Sequence, residues 1–146
     1  MTIAVPCFNA EASLARTLQS LVSQTHSDIE VLIVDDGSTD RTSQIAQRFV
    51  AHDSRIRLLA SRTNSGVAAA RNLALAHANG DFFAPLDSDD LWKPNKLELQ
   101  RTRDTRSGRW QSARLWCRNT SHAAQAIWRR ATGACGCCAP LHGKCG

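Results

Sequence analysis

The chain has 146 residues, 42% of them hydrophobic, and a formal net charge of +5. This length suits one domain with a single core. No run approaches the roughly 18 consecutive apolar residues of a membrane span, so no transmembrane segment is expected.

The positive charge is confined to one part of the chain. Residues 1–100 hold nine Lys and Arg against twelve Asp and Glu, whereas residues 101–146 hold nine against one, Asp104. A basic surface for nucleic acid or anionic lipid is therefore not indicated for residues 1–100.

The content of cysteine, tryptophan and large aliphatic residues also changes after Gln100. Five of the six cysteines and three of the four tryptophans follow Gln100, together with only three large aliphatic residues. That is too little apolar surface to offset the entropy of ordering the backbone. We predict a folded region, residues 1–100, and a poorly ordered C-terminal segment, residues 101–146, that does not fold independently. One cysteine in residues 1–100 and the absence of a leader peptide suggest a cytoplasmic protein.

Short apolar runs typical of strands covered on both faces alternate with stretches of helical apolar spacing in residues 1–100. The predicted strands are 2–5, 30–34, 56–60 and 81–86. The first predicted helix presents Leu14, Leu18, Leu21 and Val22, the second Ile45, Ala46, Phe49 and Val50, and the third runs over 67–78. We expect Asn9 to cap the first helix, and a left-handed residue at Asn79 or Gly80 to end the third.

This alternation predicts an α/β fold with a mostly parallel open sheet and helices on both faces. Ligands of such sheets bind beyond the carboxyl ends of the strands. The segments that follow the predicted strands are 6–11, 35–40, 61–66 and 87–90. We expect these four segments to converge.

Aspartates are concentrated in these segments. Asp87 and Asp89 form a D-x-D pair, whose hard oxygens suit Mg²⁺ or Mn²⁺, although aspartates also commonly end strands and cap helices. The chain has neither G-x-G-x-x-G after its first strand nor G-x-x-x-x-G-K-[ST], which disfavours a dinucleotide fold and a P-loop.

The stretches "VPCFNAEASLARTLQSLVSQTHSDIEVLIVDDGSTDRT" and "NSGVAAARNLALAHANGDFFAPLDSDDLWKPNKLELQ" resemble the nucleotide-sugar-binding half of family 2 glycosyltransferases, which have the GT-A fold with a Rossmann-like half. The resemblance covers essentially residues 1–100. It implies a nucleoside diphosphate sugar donor, most commonly a UDP-sugar, a divalent cation, Mn²⁺ or Mg²⁺, and a saccharide or lipid-linked acceptor. It also allows a peripheral position at the inner face of the membrane.

The same resemblance implies roles for individual residues. Pro6 and Phe8 would border the base, Glu11 the ribose, and Asp36 would accept a hydrogen bond from the base; Arg71 would face the diphosphate, Asp87 the ribose or the metal, and Asp89 the metal. Read without the family, Phe8 could be a core residue, Asp36 a cap of the helix after "GSTD", and Arg71 a snorkelling surface residue. We expect Asp90 to be a local cap or to support the ligands.

Family 2 enzymes invert the anomeric carbon by direct displacement, which implies a general base downstream of the D-x-D pair. Asp104 is the only carboxylate side chain after Gln100, and it lies too close in sequence to the D-x-D pair to be that base. No catalytic residue is therefore assigned. The bias of residues 101–146 to Arg, Trp, Cys, Gly and Ala suggests a frameshifted or truncated product that holds the donor-binding half and is inactive.

Two other functions are compatible with the sequence. The first is a nucleotide- and metal-binding module without transfer activity. The second is nucleic-acid binding through the basic C-terminal segment, where Cys135, Cys138, His142 and Cys145 approach a zinc-knuckle spacing. We expect neither zinc nor nucleic acid to bind there, because the gaps between these ligands are tight and no apolar framework surrounds them.

Overall fold

The computed structural model describes residues 1–100, in which strands and helices alternate strictly. The elements are β1 (Thr2–Cys7), α1 (Leu14–Val22), β2 (Glu30–Asp36), α2 (Thr42–His52), β3 (Ile56–Ser61), α3 (Val67–Ala76) and β4 (Phe83–Pro85). This order confirms the predicted alternation. None of these helices is long and apolar enough to cross a lipid bilayer.

The strands form one sheet in the order β3-β2-β1-β4, and every pair in it is parallel. Thr2 of β1 lies opposite Glu30 of β2 and Phe83 of β4. Since the strands are parallel, their carboxyl ends meet at one end of the sheet, as predicted.

Helices cover both faces, because successive side chains of a strand point to opposite sides. Ile3 and Ile33 lie in a core cluster with Leu14 and Leu18 of α1 and Ala46 of α2. The intervening strand residues pack with α3, whose small side chains allow a close approach to the sheet: Ala4, Leu32 and Val34 lie against Ala70 and Ala74. Each fully buried Leu or Ile contributes about 1.5–3 kcal/mol of transfer free energy.

All four strands differ in length from the prediction, β3 by a single residue, Ser61. β1 and β2 each extend two residues further, so Pro6 and Asp36 belong to strands rather than to loops. The fourth strand is shorter than the predicted 81–86, because β4 pairs over three residues only. Its last residue, Pro85, has no N–H with which to continue a ladder.

Both predictions about helix ends were wrong. Asn9 does not cap α1, which begins at Leu14; Asn9 has a φ of 49° and its side-chain oxygen accepts the Thr39 N–H at 2.9 Å. α3 ends at Ala76, and no left-handed residue follows it at 79 or 80. Glycine is required at position 80 for space, since a Cβ there would lie 2.7 Å from the Thr2 nitrogen.

Candidate functional site

The predicted site residues lie at the carboxyl end of the sheet. Phe8 follows β1, Asp36 is the last residue of β2, and Asp87 comes two residues after β4. Because β1 lies between β2 and β4, and neighbouring strands are about 4.8 Å apart, the ends of β2 and β4 are separated by about 10 Å.

Asp36 is buried and holds the start of α3. Its carboxylate accepts the Ser65 N–H at 3.0 Å to either oxygen and the Gly66 N–H at 2.7 Å. Gly66 has a φ of 88°, a left-handed value that favours glycine. The alternative that Asp36 caps the helix after "GSTD" is therefore wrong: at that helix, the Asp40 carboxylate accepts the Thr42 N–H.

Arg71 of α3 reaches across to the end of β4. Its Nη2 lies 2.5 Å from Oδ1 of Asp87, so the snorkelling alternative for Arg71 is wrong. The Nε of Arg71 is buried and has no hydrogen-bond partner. Asp36 thus contacts the residues just before α3, and Asp87 contacts Arg71 within α3.

The D-x-D pair lies on a tight turn. The Asp87 carbonyl accepts the Asp90 N–H at 3.1 Å, and the side chains of Asp87, Asp89 and Asp90 are exposed. The Asp90 backbone N–H thus closes the turn, and the role expected of the Asp90 side chain stays a prediction.

Three polar side chains, two on α1 and one just after its end, hold this turn and the residues after it; the sequence analysis missed them. Thr17 donates to the Ser88 carbonyl at 2.9 Å, and Gln24 donates to the Lys93 carbonyl at 2.8 Å. Ser20 accepts the Trp92 N–H at 3.3 Å. Part of the signal was present in the sequence, because Thr17 and Ser20 lie three residues apart on α1, beside its apolar stripe, and Gln24 follows four residues later, just after the helix ends.

Phe8 is 48% exposed, so the alternative that it is a core residue is wrong. Pro6 is buried within β1. Phe8 therefore offers an accessible ring to a ligand, whereas the ring of Pro6 is buried.

Glu11 lies apart from Arg71 and Asp87. Its carboxylate accepts the Arg41 N–H at 3.0 Å, and its own N–H donates to Asp40 at 3.1 Å. These bonds join the loop after β1 to the loop before α2, on the face of the sheet opposite α3. The structure therefore brings Asp36, Arg71 and Asp87 to one helix and places Glu11 on the other side of the β1 terminus.

Cys7, which ends β1, is not a nucleophile at neutral pH. Burial, reinforced by the nearby charges of Asp35, Asp40 and Asp36, raises the pKa of the Cys7 thiol to about 12. Its Sγ lies 3.4 Å from the Val34 carbonyl oxygen. The thiol remains protonated, so the chemistry of this site rests on its carboxylates and on Arg71.

The residues at the turn can hold a divalent cation only if ligands from outside the chain complete its coordination shell. In residues 1–100 no three His, Cys, Asp or Glu side chains group closely enough to hold a metal. Asp87 and Asp89 supply two carboxylates, and the Asp87 carboxylate already pairs with a cation, Arg71. Mg²⁺ and Mn²⁺ are commonly held by one or two carboxylates, with substrate phosphates and water completing the shell.

Several predictions fall outside the described residues. These are the disorder of residues 101–146, the position of Asp104, and the cysteine and histidine spacing from Cys135 to Cys145. They stay predictions.

The α/β architecture and the carboxylate-rich carboxyl end define a GT-A-like glycosyltransferase domain. The chain matches the family described as Glycosyl transferase family 2 over residues 2–139, and it belongs to that family. The resemblance inferred from the motifs is confirmed.

Curated relatives align with about two thirds of the chain. The chain is 44% identical over 100 residues, 68% of its length, to the Escherichia coli UDP-Glc:alpha-D-GlcNAc-diphosphoundecaprenol beta-1,3-glucosyltransferase WfgD, and the match covers 39% of that protein. It is 44% identical over 100 residues, again 68% of its length, to the Bacillus subtilis putative teichuronic acid biosynthesis glycosyltransferase TuaG, covering 40% of that protein. The chain thus spans about two fifths of the length of these relatives.

Solved structures show the same fold. The S. aureus protein TarS 1-349 in complex with UDP-GlcNAc is 32% identical, with a TM-score of 0.68 over 72% of this chain and 31% of that one. The mannosyltransferase PcManGT from Pyrobaculum calidifontis, in complex with GDP-Man and Mn2+, is 30% identical, with a TM-score of 0.59 over 62% of this chain and 28% of that one. These likenesses confirm the predicted fold class.

Proposed function

We propose that this chain supplies the donor-binding part of a family 2 glycosyltransferase, and that it binds a nucleoside diphosphate sugar together with Mn²⁺ or Mg²⁺. The observation that carries the proposal is the convergence of three side chains at the carboxyl end of the sheet: Asp36 holds the residues just before α3, and Arg71 of α3 pairs with Asp87. That position is where open parallel sheets bind ligands.

Each residue has a role in this proposal. The exposed ring of Phe8 stacks on the base above Pro6, and Asp36 accepts a hydrogen bond from the base. A carboxylate has about four acceptor positions, so the bonds from Ser65 and Gly66 leave Asp36 capacity for one more donor. Glu11 lies near the ribose.

In this proposal the diphosphate lies between Arg71 and the D-x-D turn. Asp87 and Asp89 hold the divalent cation, which, when bound, stabilises the negative charge that develops on the departing diphosphate. Arg71 binds and orients the same phosphates and contributes a fixed positive charge. The transfer is an inverting displacement at the anomeric carbon, and the chain's own described residues supply the donor side of it.

Uracil is the base that we propose. TarS was solved with UDP-GlcNAc, and the name of the E. coli relative WfgD specifies UDP-Glc. The diphosphoundecaprenol in the name of WfgD supports a saccharide or lipid-linked acceptor, and hence a peripheral position at the inner face of the membrane.

Isothermal titration calorimetry with UDP in the presence of Mn²⁺ tests the proposal. We expect UDP to bind, GDP to bind more weakly, and Asp89→Asn to reduce the affinity for UDP by about tenfold or more, because hydrogen bonds to charged groups contribute about 1.5–3 kcal/mol and about 1.4 kcal/mol corresponds to a factor of ten. Asp81→Asn is the matched control, because this exposed aspartate precedes β4 at the amino end of the sheet. If the folded chain bound neither nucleotide with Mn²⁺, the proposal would be overturned.

A further inference from the structure

The ion pair between Arg71 and Asp87 conflicts with the proposed metal site. Oδ1 of Asp87 has a positive partner, Nη2 of Arg71, at 2.5 Å. A divalent ion at Asp87 would have to share that carboxylate with the guanidinium, and two cations at the same oxygen repel each other. Asp87 and Arg71 are 52% and 32% exposed, so water weakens this repulsion without removing it.

Arg71 is only partly satisfied in this pair. Its Nε is buried and lacks an acceptor, although its Nη2 is bound. A guanidinium presents several N–H donors in a rigid fork that matches the oxygens of a phosphate. A diphosphate at the site would therefore offer Arg71 more acceptors than the carboxylate of Asp87 does.

For Arg71 to leave Asp87, only its side chain would have to move. The side chain extends from the middle of α3, whose start is held by Asp36 through Ser65 and Gly66. The backbone that carries Arg71 is thus fixed independently of Asp87, and only the end of the side chain has to move.

We propose that Arg71 occupies the cation position at Asp87 until the diphosphate of the donor draws it away, so that the nucleotide and the metal bind in a coupled manner. This inference rests on the function proposed above and specifies its regulation. Mn²⁺ alone binds the ligand-free chain weakly. The diphosphate adds phosphate oxygens to the metal shell and at the same time removes a competing cation from Asp87.

Coupling between UDP and Mn²⁺ is not by itself diagnostic, since a metal bridged by phosphates produces it without any contribution from Arg71. The diagnostic measurement is the affinity for Mn²⁺ without nucleotide, obtained from the free Mn²⁺ signal in electron paramagnetic resonance. Arg71→Gln should bind Mn²⁺ alone about fivefold or more tightly than the wild-type chain, within the usual range of coupling between sites. The same variant should bind UDP more weakly.

Arg48→Gln is the matched control, because it removes the same charge from an exposed position on α2, on the opposite face of the sheet. We expect it to leave the affinity for Mn²⁺ unchanged, and circular dichroism should show that both variants are folded. If UDP and Mn²⁺ bind the wild-type chain but Arg71→Gln leaves the affinity for Mn²⁺ alone unchanged or lowers it, this inference is overturned and the proposed function stands. If neither ligand binds the wild-type chain, both fail.

Discussion

Asp36 has a structural role in the fold beside the ligand-binding role that we propose for it. It is 5% exposed, and its two carboxylate oxygens accept the N–H groups of Ser65 and Gly66. A buried carboxylate is tolerated only when such donors surround it. The fold therefore fixes the direction of the Asp36 carboxylate at the end of β2.

Replacing Asp36 tests this double role. Asp36→Asn replaces one carboxylate oxygen by an NH₂ group, which cannot accept a hydrogen bond from Ser65 or Gly66. At least one of these N–H groups then loses its charged acceptor. We expect the free energy of unfolding to fall by about 1–3 kcal/mol. Urea unfolding measures this change, and calorimetry should show weaker UDP binding. The exposed Asp81→Asn serves again as the control for charge. Unchanged stability together with unchanged UDP affinity would contradict both roles.

Glu30 is the main polar contact of the opposite, amino end of the sheet. Its carboxylate accepts hydrogen bonds from Thr2, from the backbone and side chain of Asn79, and from Arg57. Partial burial opposes its charge, but the bonds from Asn79, Thr2 and Arg57 outweigh burial and hold the pKa of Glu30 below its ordinary value of 4.5. Glu30 therefore joins β1, β2 and β3 and the segment that follows α3.

This shift predicts how stability depends on pH. Because the pKa of Glu30 is lower in the folded chain, its stabilisation is fully present above about pH 4.5 and is lost as the pH falls through the folded-state pKa. Glu30→Gln should lower the urea midpoint at neutral pH, and the difference from wild type should shrink below pH 4.5. Asp28→Asn, an exposed neighbour, should behave like wild type. A difference that stayed constant with pH would contradict the prediction.

At the scale of elements, α1 holds the turn that carries Asp87 and Asp89. Thr17 is completely buried, and it donates to the Ser88 carbonyl at the centre of that turn. Leu18 and Leu21, on the same helix, belong to the core. α1 thus connects the hydrophobic core to the proposed metal ligands.

Removing the hydroxyl of Thr17 should loosen the turn. Thr17→Val keeps the shape but leaves the Ser88 carbonyl without its donor, at a cost of about 1–3 kcal/mol. We expect weaker binding of UDP with Mn²⁺ by calorimetry in a chain that remains folded. Thr17→Ser, which keeps the hydroxyl, should restore most of the affinity. If the valine and serine variants bound UDP equally well, Thr17 would have no positioning role.

The elements were largely predictable from the sequence because their signals are local. The unbroken run "EVLIV" and the spacing of Leu14, Leu18 and Leu21 each determine an element within a few residues of chain. The missed features depend on distant partners: Asn9 is held by Thr39, and Arg71 by Asp87. The spacing of residues along the chain does not reveal such contacts. Asp36, Arg71 and Asp87 could nevertheless be named as candidate site residues from the family's motifs.

At the scale of the molecule, the proposed binding residues lie at one end of the sheet, and a group of contacts with no proposed binding role lies at the other. The carboxyl end carries Phe8, Asp36 and the D-x-D turn, while Glu30 and Gly80 close the amino end. Strands of six or seven residues place these ends about 20 Å apart. Substitutions at the amino end should therefore change stability without changing the intrinsic affinity for UDP.

A crystal structure of the chain with UDP and Mn²⁺ tests the central claim most directly. We predict nucleotide density across the end of β1, with the base beside Phe8 and Asp36, and an anomalous manganese peak at Asp87 and Asp89 that bridges to the diphosphate. Arg71 should contact phosphate in that complex instead of Asp87. Nucleotide bound elsewhere, or manganese away from both aspartates, would contradict the account.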